Sequence, residues 1–187
     1  MPLDYRYELS DSGTLPIGID VAKKYLKIDS SVDNSVIKNL IATITQWGER
    51  HTGRDFRVNT WKLTLDCFED RFLIRKAPIA TISSVKYTVT TLFDTTIAAT
   101  VYQFKQGNQW SEVILRVDQV WPSDLDTIEG GIQIEFVTKE PRFIEQYRSA
   151  MLQHLAYLYE NRGDCEVDEA AMKSGAIGTY GTRIAQI

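Results

Sequence analysis

The sequence predicts an α+β protein: a helical bundle of two long helices and one short helix, with an antiparallel β sub-domain inserted between the long helices and extended N- and C-terminal arms. Three observations carry this reading. Apolar residues recur at helical spacing in two long segments, the stretch between them changes to a period of two, and no helix-length segment separates its strands.

Residues 1–17 hold Tyr5, Tyr7, Leu9 and Leu15 without helical period and read as an extended arm. A short helix is expected from about 20 to 28, with Val21, Tyr25 and Ile28 on the inward face and Lys23, Lys24 and Lys27 pointing away. Asp29-Ser30-Ser31 breaks it. Asp33 then caps a helix over 33–53, whose apolar positions Val36, Ile37, Leu40, Ile41, Ile44 and Trp47 fall on one side, and Gly53 permits a left-handed exit.

From Arg57 the pattern alternates. Trp61, Leu63 and Leu65 interleave with Lys62, Thr64 and Asp66, as in a strand buried on one face. Further strands are expected at 72–75, 82–90, 100–105, 112–117 and 132–137, separated by turn formers such as Gly107-Asn108, Pro122-Ser123-Asp124 and Gly130-Gly131. The β sub-domain spans about 56–138 inside a domain at 18–163.

A third helix is expected over 142–162, opening after Pro141. In its second half, apolar residues cover most of the circumference, wider than the stripe of about 100° that one core requires. Two buried faces follow. Met151, Leu155, Tyr157 and Leu158 are therefore candidate contacts with a neighbouring copy, unless the chain's own β region covers that face. Residues 164–187 carry Gly175, Gly178 and Gly181 and few large apolar groups, so an extended tail is expected, with a reach on the order of 80 Å. Its anchors on a partner would be Ile177, Tyr180, Ile184 and Ile187.

Composition narrows the function classes. A length of 187 residues, 43% hydrophobic and 25% charged, suits one sizeable core with a sub-domain. The net charge of -4 argues against a protein that grips phosphate backbones; Arg71, Arg75 and Lys76 are interspersed with Glu69 and Asp70. No run approaches the roughly 18 apolar residues of a membrane span, and the first residues lack the pattern of a signal peptide. Cys67 and Cys165 read as free thiols.

Candidate chemistry is sparse. His51 and His154 sit on predicted helices, in capping or packing roles. Gly175, Gly178 and Gly181 fail as a dinucleotide fingerprint because no strand precedes them. Two carboxylate clusters, Asp66/Glu69/Asp70 and Asp164/Glu166/Asp168/Glu169, lack the spacing of a calcium loop. No catalytic, cofactor-binding or metal-binding residues are assigned. The enzymatic rival is a hydrolase using Asp66, Glu69 or Asp70 beside exposed tryptophans, which needs two carboxylates about 5 to 9.5 Å apart in a cleft.

The order of landmarks is informative. Val21-Ala22-Lys23-Lys24-Tyr25-Leu26-Lys27-Ile28-Asp29 leads to Asp33 and Val36-Ile37-Lys38-Asn39-Leu40-Ile41, then to Glu49-Arg50-His51-Thr52-Gly53-Arg54 and a strand with Thr60-Trp61. Ala77-Pro78-Ile79, Ile82-Ser83-Ser84-Val85-Lys86-Tyr87, Trp121-Pro122 and Tyr159-Glu160-Asn161-Arg162 follow. Over about 17–163 this resembles the head-tail connector (adaptor) family of tailed bacteriophages and related gene-transfer particles.

The resemblance implies a non-enzymatic homo-oligomeric ring, commonly of twelve copies, in the neck of a virion and made in the cytoplasm of a bacterial host. Such a ring sits beneath the portal protein, extends the channel through which DNA passes and receives the stopper or tail. The C-terminal tail is expected to dock on the portal through Ile177, Tyr180, Arg183, Ile184 and Ile187. It departs from the family pattern in being rich in glycine and lacking proline. Another ring-forming tail-completion or baseplate protein is the alternative within the same class.

Overall fold

A computed structural model describes residues 5–89, 93, 95–107, 110–123, 129–162 and 164–181. The chain forms two compact units, each assembled from two stretches: Met1–Gly13 with Val58–Lys139, and Thr14–Arg57 with Glu140–Ile187. The predicted helical bundle and antiparallel β sub-domain are both present.

The first unit is all β. Its strands are β1 (Arg6–Asp11), β2 (Thr60–Leu65), β3 (Arg71–Ile74), β4 (Ile79–Tyr87), β5 (Thr95–Thr96), β6 (Tyr102–Gln106), β7 (Ser111–Leu115) and β8 (Ile132–Thr138). They form a five-stranded sheet in the order β1-β2-β8-β4-β5 and a three-stranded sheet in the order β3-β7-β6. Every pairing is antiparallel, as the lack of crossover helices requires. On β8 the alternation is complete: Ile132, Ile134, Phe136 and Thr138 are buried, while Gln133, Glu135 and Val137 are only partly covered. The register places Leu63 opposite Ile134 and Leu65 opposite Ile132, so the predicted inward set of β2 meets that of β8. Phe72, Ile74 and Val113 of the smaller sheet join them in one core.

Part of the expected N-terminal arm is a strand of this sheet. In β1, Tyr7 lies opposite Leu63, and its hydroxyl accepts the Arg75 N–H at 3.0 Å. Burial pushes the Tyr7 phenol up to about 12. The strand leaves the sheet at Gly13, where a Cβ would stand 2.3 Å from the Val58 carbonyl oxygen, so only glycine fits.

The second unit is helical: α1 (Ile19–Leu26), α2 (Asn34–Thr52), α3 (Ile144–Glu160), α4 (Val167–Lys173) and α5 (Ala176–Tyr180). Gly53 ends α2 at φ 68, as expected. Asp33 stands at its N-cap, but its side chain does not bond the helix backbone; its carboxylate accepts the Tyr159 hydroxyl and Arg162 Nη1 at 3.3 Å. It therefore ties the start of α2 to the end of α3. The hydroxyl beside it holds Asp33 below the usual carboxylate range.

Two expectations change here. Within the tail expected to be extended, the described residues form α4 and α5, and Ala170, Ala171, Ala176 and Tyr180 are buried in the helical core. Small side chains suffice because they let short helices approach closely, and Tyr180 supplies the large apolar area that the rest lacks. This explains the wide apolar surface of α3. At 100° per residue, the row of Arg148 and Leu152 faces α1, the row of Met151, Leu155 and Leu158 lies roughly 75° away, and the row of Gln146, Ala150 and Gln153 takes the opposite side beside α5. Met151 and Leu155 are 0% exposed and Leu158 is 5% exposed, so these candidate contacts with another copy belong to the unit's own core. Tyr157 is half-buried.

The inward face of α1 is the second correction. Ala22 is buried, with Ile19, Leu26 and Ile28 packed against the core, whereas Val21 and Tyr25 are 53% and 47% exposed. Apolar residues lie on both sides of this helix, and the small alanine gives the closer approach.

Candidate functional site

The most elaborate arrangement of side chains holds α4 and α5 against the long helices. Trp47 on α2 donates its indole N–H to Asp168 on α4. His154 on α3 donates its Nε2 proton to the Val167 carbonyl at 2.8 Å, the acceptor fixing that tautomer. Gln146 donates to the Thr179 carbonyl at 2.7 Å, and the Thr179 hydroxyl donates to Gln153 Oε1 at 3.2 Å. Both ends of the α4–α5 segment are thus fixed by side chains of α2 and α3.

Aromatic rings fill the space between these bonds. Trp47 stacks on His51 at 4.7 Å, meets His154 edge-on at 5.1 Å and lies 5.3 Å from Tyr180. Phe56 stacks on Tyr147 at 4.6 Å, with Tyr180 at 6.4 Å on a nearly parallel plane. Gly48 makes this possible, because a Cβ there would fall 2.7 Å from the Phe56 ring and 3.0 Å from that of Tyr180. Burial pushes the His154 pKa down and that of Tyr180 strongly up. Among the described residues, His154 Nδ1 and the Tyr180 hydroxyl are buried without a hydrogen-bond partner. Protonating His154 would bury a charge and leave its Nδ1 proton without an acceptor.

The loop after α2 is held by Glu49, whose carboxylate accepts the Phe56 N–H at 2.9 Å and Arg57 through Nε at 3.1 Å and Nη2 at 2.7 Å. Both charged side chains are largely covered, and the hydrogen bonds and charge of Glu49 raise the Arg57 pKa further against the opposing effect of burial.

The arrangement is a packed latch of rings and hydrogen bonds. No group of three or more histidine, cysteine or acidic residues able to hold a metal occurs among the described residues. The hydrolase candidate Asp66 accepts from Arg6 at 3.0 Å and from the Gly130 N–H at 2.6 Å, a structural tie within the β unit. Trp121 stacks on Phe68 at 5.0 Å, and Lys76 lies over the Trp61 ring at 4.0 Å. Both cysteines are free thiols.

Of the predicted tail anchors, Tyr180 is 2% exposed within its own unit and Ile177 is half-buried. Tyr180 is therefore not a free anchor for a partner. Arg183, Ile184 and Ile187 lie outside the described residues. Sequence reasoning missed the latch, although Trp47, His51 and His154 at helical spacing on two predicted helices were its visible signal.

No family model and no curated protein matches the sequence. Among solved structures, the fold is similar to a chain in the neck of an empty GTA particle computed with C6 symmetry, with TM-score 0.70, 14% identity, and 100% of this chain and 98% of that chain covered. It is also similar to a chain in the virion of a native gene transfer agent (GTA) particle, with TM-score 0.71, 14% identity and 97% of each chain covered. A third, in the neck of a native GTA particle computed with C12 symmetry, gives TM-score 0.63, 16% identity, and coverage of 100% and 98%. At these identities the likeness shows the fold, and it embraces both units.

Proposed function

We propose that this protein is a structural connector in the neck of a phage-like particle: a homo-oligomeric ring seated beneath the portal, extending the DNA channel and receiving the stopper or tail. The observation that carries this reading is full-length likeness of fold to chains from symmetric neck assemblies, with nearly the whole of those chains covered. A non-enzymatic role fits a latch built from packing and structural hydrogen bonds. The net charge of -4 suits a channel along which DNA slides without adhering.

In this reading the segment beyond Gly181, with Arg183, Ile184 and Ile187, reaches the portal together with Ile177, while Tyr180 roots that segment in the helical unit. Electron microscopy of the purified protein with and without its portal tests the function. A ring on the portal is the expected result, and a persistent monomer that ignores the portal overturns the reading.

A further inference from the structure

The outward side of α1 is an apolar stripe with positive charge around it. Val21 and Tyr25, one turn apart, are 53% and 47% exposed. Within Ile19–Lys27, the three lysines Lys23, Lys24 and Lys27 stand against one carboxylate, Asp20. On α4 the balance is reversed. Met172 is 61% exposed, and Asp168 and Glu169 precede it by one turn. Within 164–173, four carboxylates stand against Lys173, which pairs with Glu169 at 2.5 Å. Arg50 of α2 lies 4.0 Å from Asp168, and the surface keeps an excess of negative charge.

The two surfaces lie on separate sides of α3. Arg148 Nε donates to the Pro16 carbonyl at 2.9 Å on the α1 side, whereas His154 and Gln153 hold the α4–α5 side. One copy can therefore engage a neighbour through each surface at once.

We propose that the α1 surface of one copy, centred on Val21, Lys24 and Tyr25, docks on the α4 surface of a second copy, centred on Asp168, Glu169 and Met172. The inference rests on the ring reading above and specifies its subunit contact. Apolar side chains meet at the centre, and opposite charges meet around them, which sets partner and orientation. The contact is heterologous, joining two different surfaces, and a heterologous contact repeated through a fixed rotation closes into a ring.

Single cysteines placed on each surface of the full-length chain, in a Cys67→Ser/Cys165→Ser background, test it. Val21→Cys and Met172→Cys chains, mixed and treated with a mild oxidant, should give disulfide-linked dimers. A chain carrying both substitutions should give a ladder that ends at one closed species, and neither single variant should link to itself. Light scattering on the same samples reports assembly. Assembly without the mixed link, or Val21→Cys linking to itself, overturns this contact while the ring reading stands. A chain that stays monomeric at every concentration and with its portal overturns both. As an independent check, Lys24→Glu should raise the concentration needed for assembly, and an unchanged concentration counts against the contact.

Discussion

The Trp47 indole N–H is bonded to the Asp168 carboxylate, joining residues 121 positions apart in the chain. The bond fixes α4 to α2 and sets the plane of a ring that also contacts His51, His154 and Tyr180. Trp47→Phe keeps most of the apolar area but removes the donor. Loss of a hydrogen bond to a charged group costs about 1.5–3 kcal/mol. Amide exchange should quicken at Ala170, Ala171 and Met172; unchanged protection there would show that the bond does not secure α4.

At Gly48 on α2 a better helix former should harm the fold. Gly→Ala in a helix interior is ordinarily worth about 1 kcal/mol of stability. Here the new methyl would sit 2.7 Å from Phe56, itself 0% exposed, so a ring must move inside a full core. Gly48→Ala should lower the melting temperature, and a rise would mean that the ring gives way freely.

His154 makes the helical unit sensitive to acid. Burial places its folded pKa below the unfolded value of 6.5, against weaker opposing effects of the Val167 carbonyl and Asp168. As the pH falls through 6.5, the unfolded chain takes up a proton that the folded chain refuses, so stability declines until the folded pKa is reached. Calorimetry across this window should show the fall, and His154→Gln, which can still donate to Val167, should flatten it. An identical slope in the variant assigns the acid sensitivity to other groups.

Removing the chain after Arg162 takes away Ala170, Ala171, Ala176 and Tyr180 from the core. The truncated protein should melt earlier and bind a hydrophobic dye. Tyr180→Ala alone should cost on the order of 3–5 kcal/mol, the range for emptying a buried aromatic site. Equal melting temperatures for full and truncated chains would show that α4 and α5 do not stabilise the unit.

Much of this fold was legible in the sequence. Gly53 and Pro141 mark one end of each long helix, and the alternation at Trp61, Leu63 and Leu65 identifies β2 before its partner β8 is known. What escaped depended on distant partners. Tyr7 belongs to a strand only because Leu63 lies opposite, and nothing local to residues 6–11 states that pairing. In α1, periodicity selected Val21 and Tyr25 as the inward residues, whereas close packing selected Ala22, which a hydrophobic pattern weights lightly. The latch eluded the same logic: its segment is rich in alanine and glycine, and its one large anchor, Tyr180, gains its worth from rings on α2 and α3.

The division of each unit into two stretches has a consequence for biosynthesis. Every strand from β1 to β8 is synthesised before α3, so the β unit is the first whose whole set of elements becomes available to fold. The helical unit is completed later. α1 and α2 emerge early and must keep their apolar faces from stray association until α3, α4 and α5 arrive, which makes that interval the period when a nascent molecule most needs a chaperone.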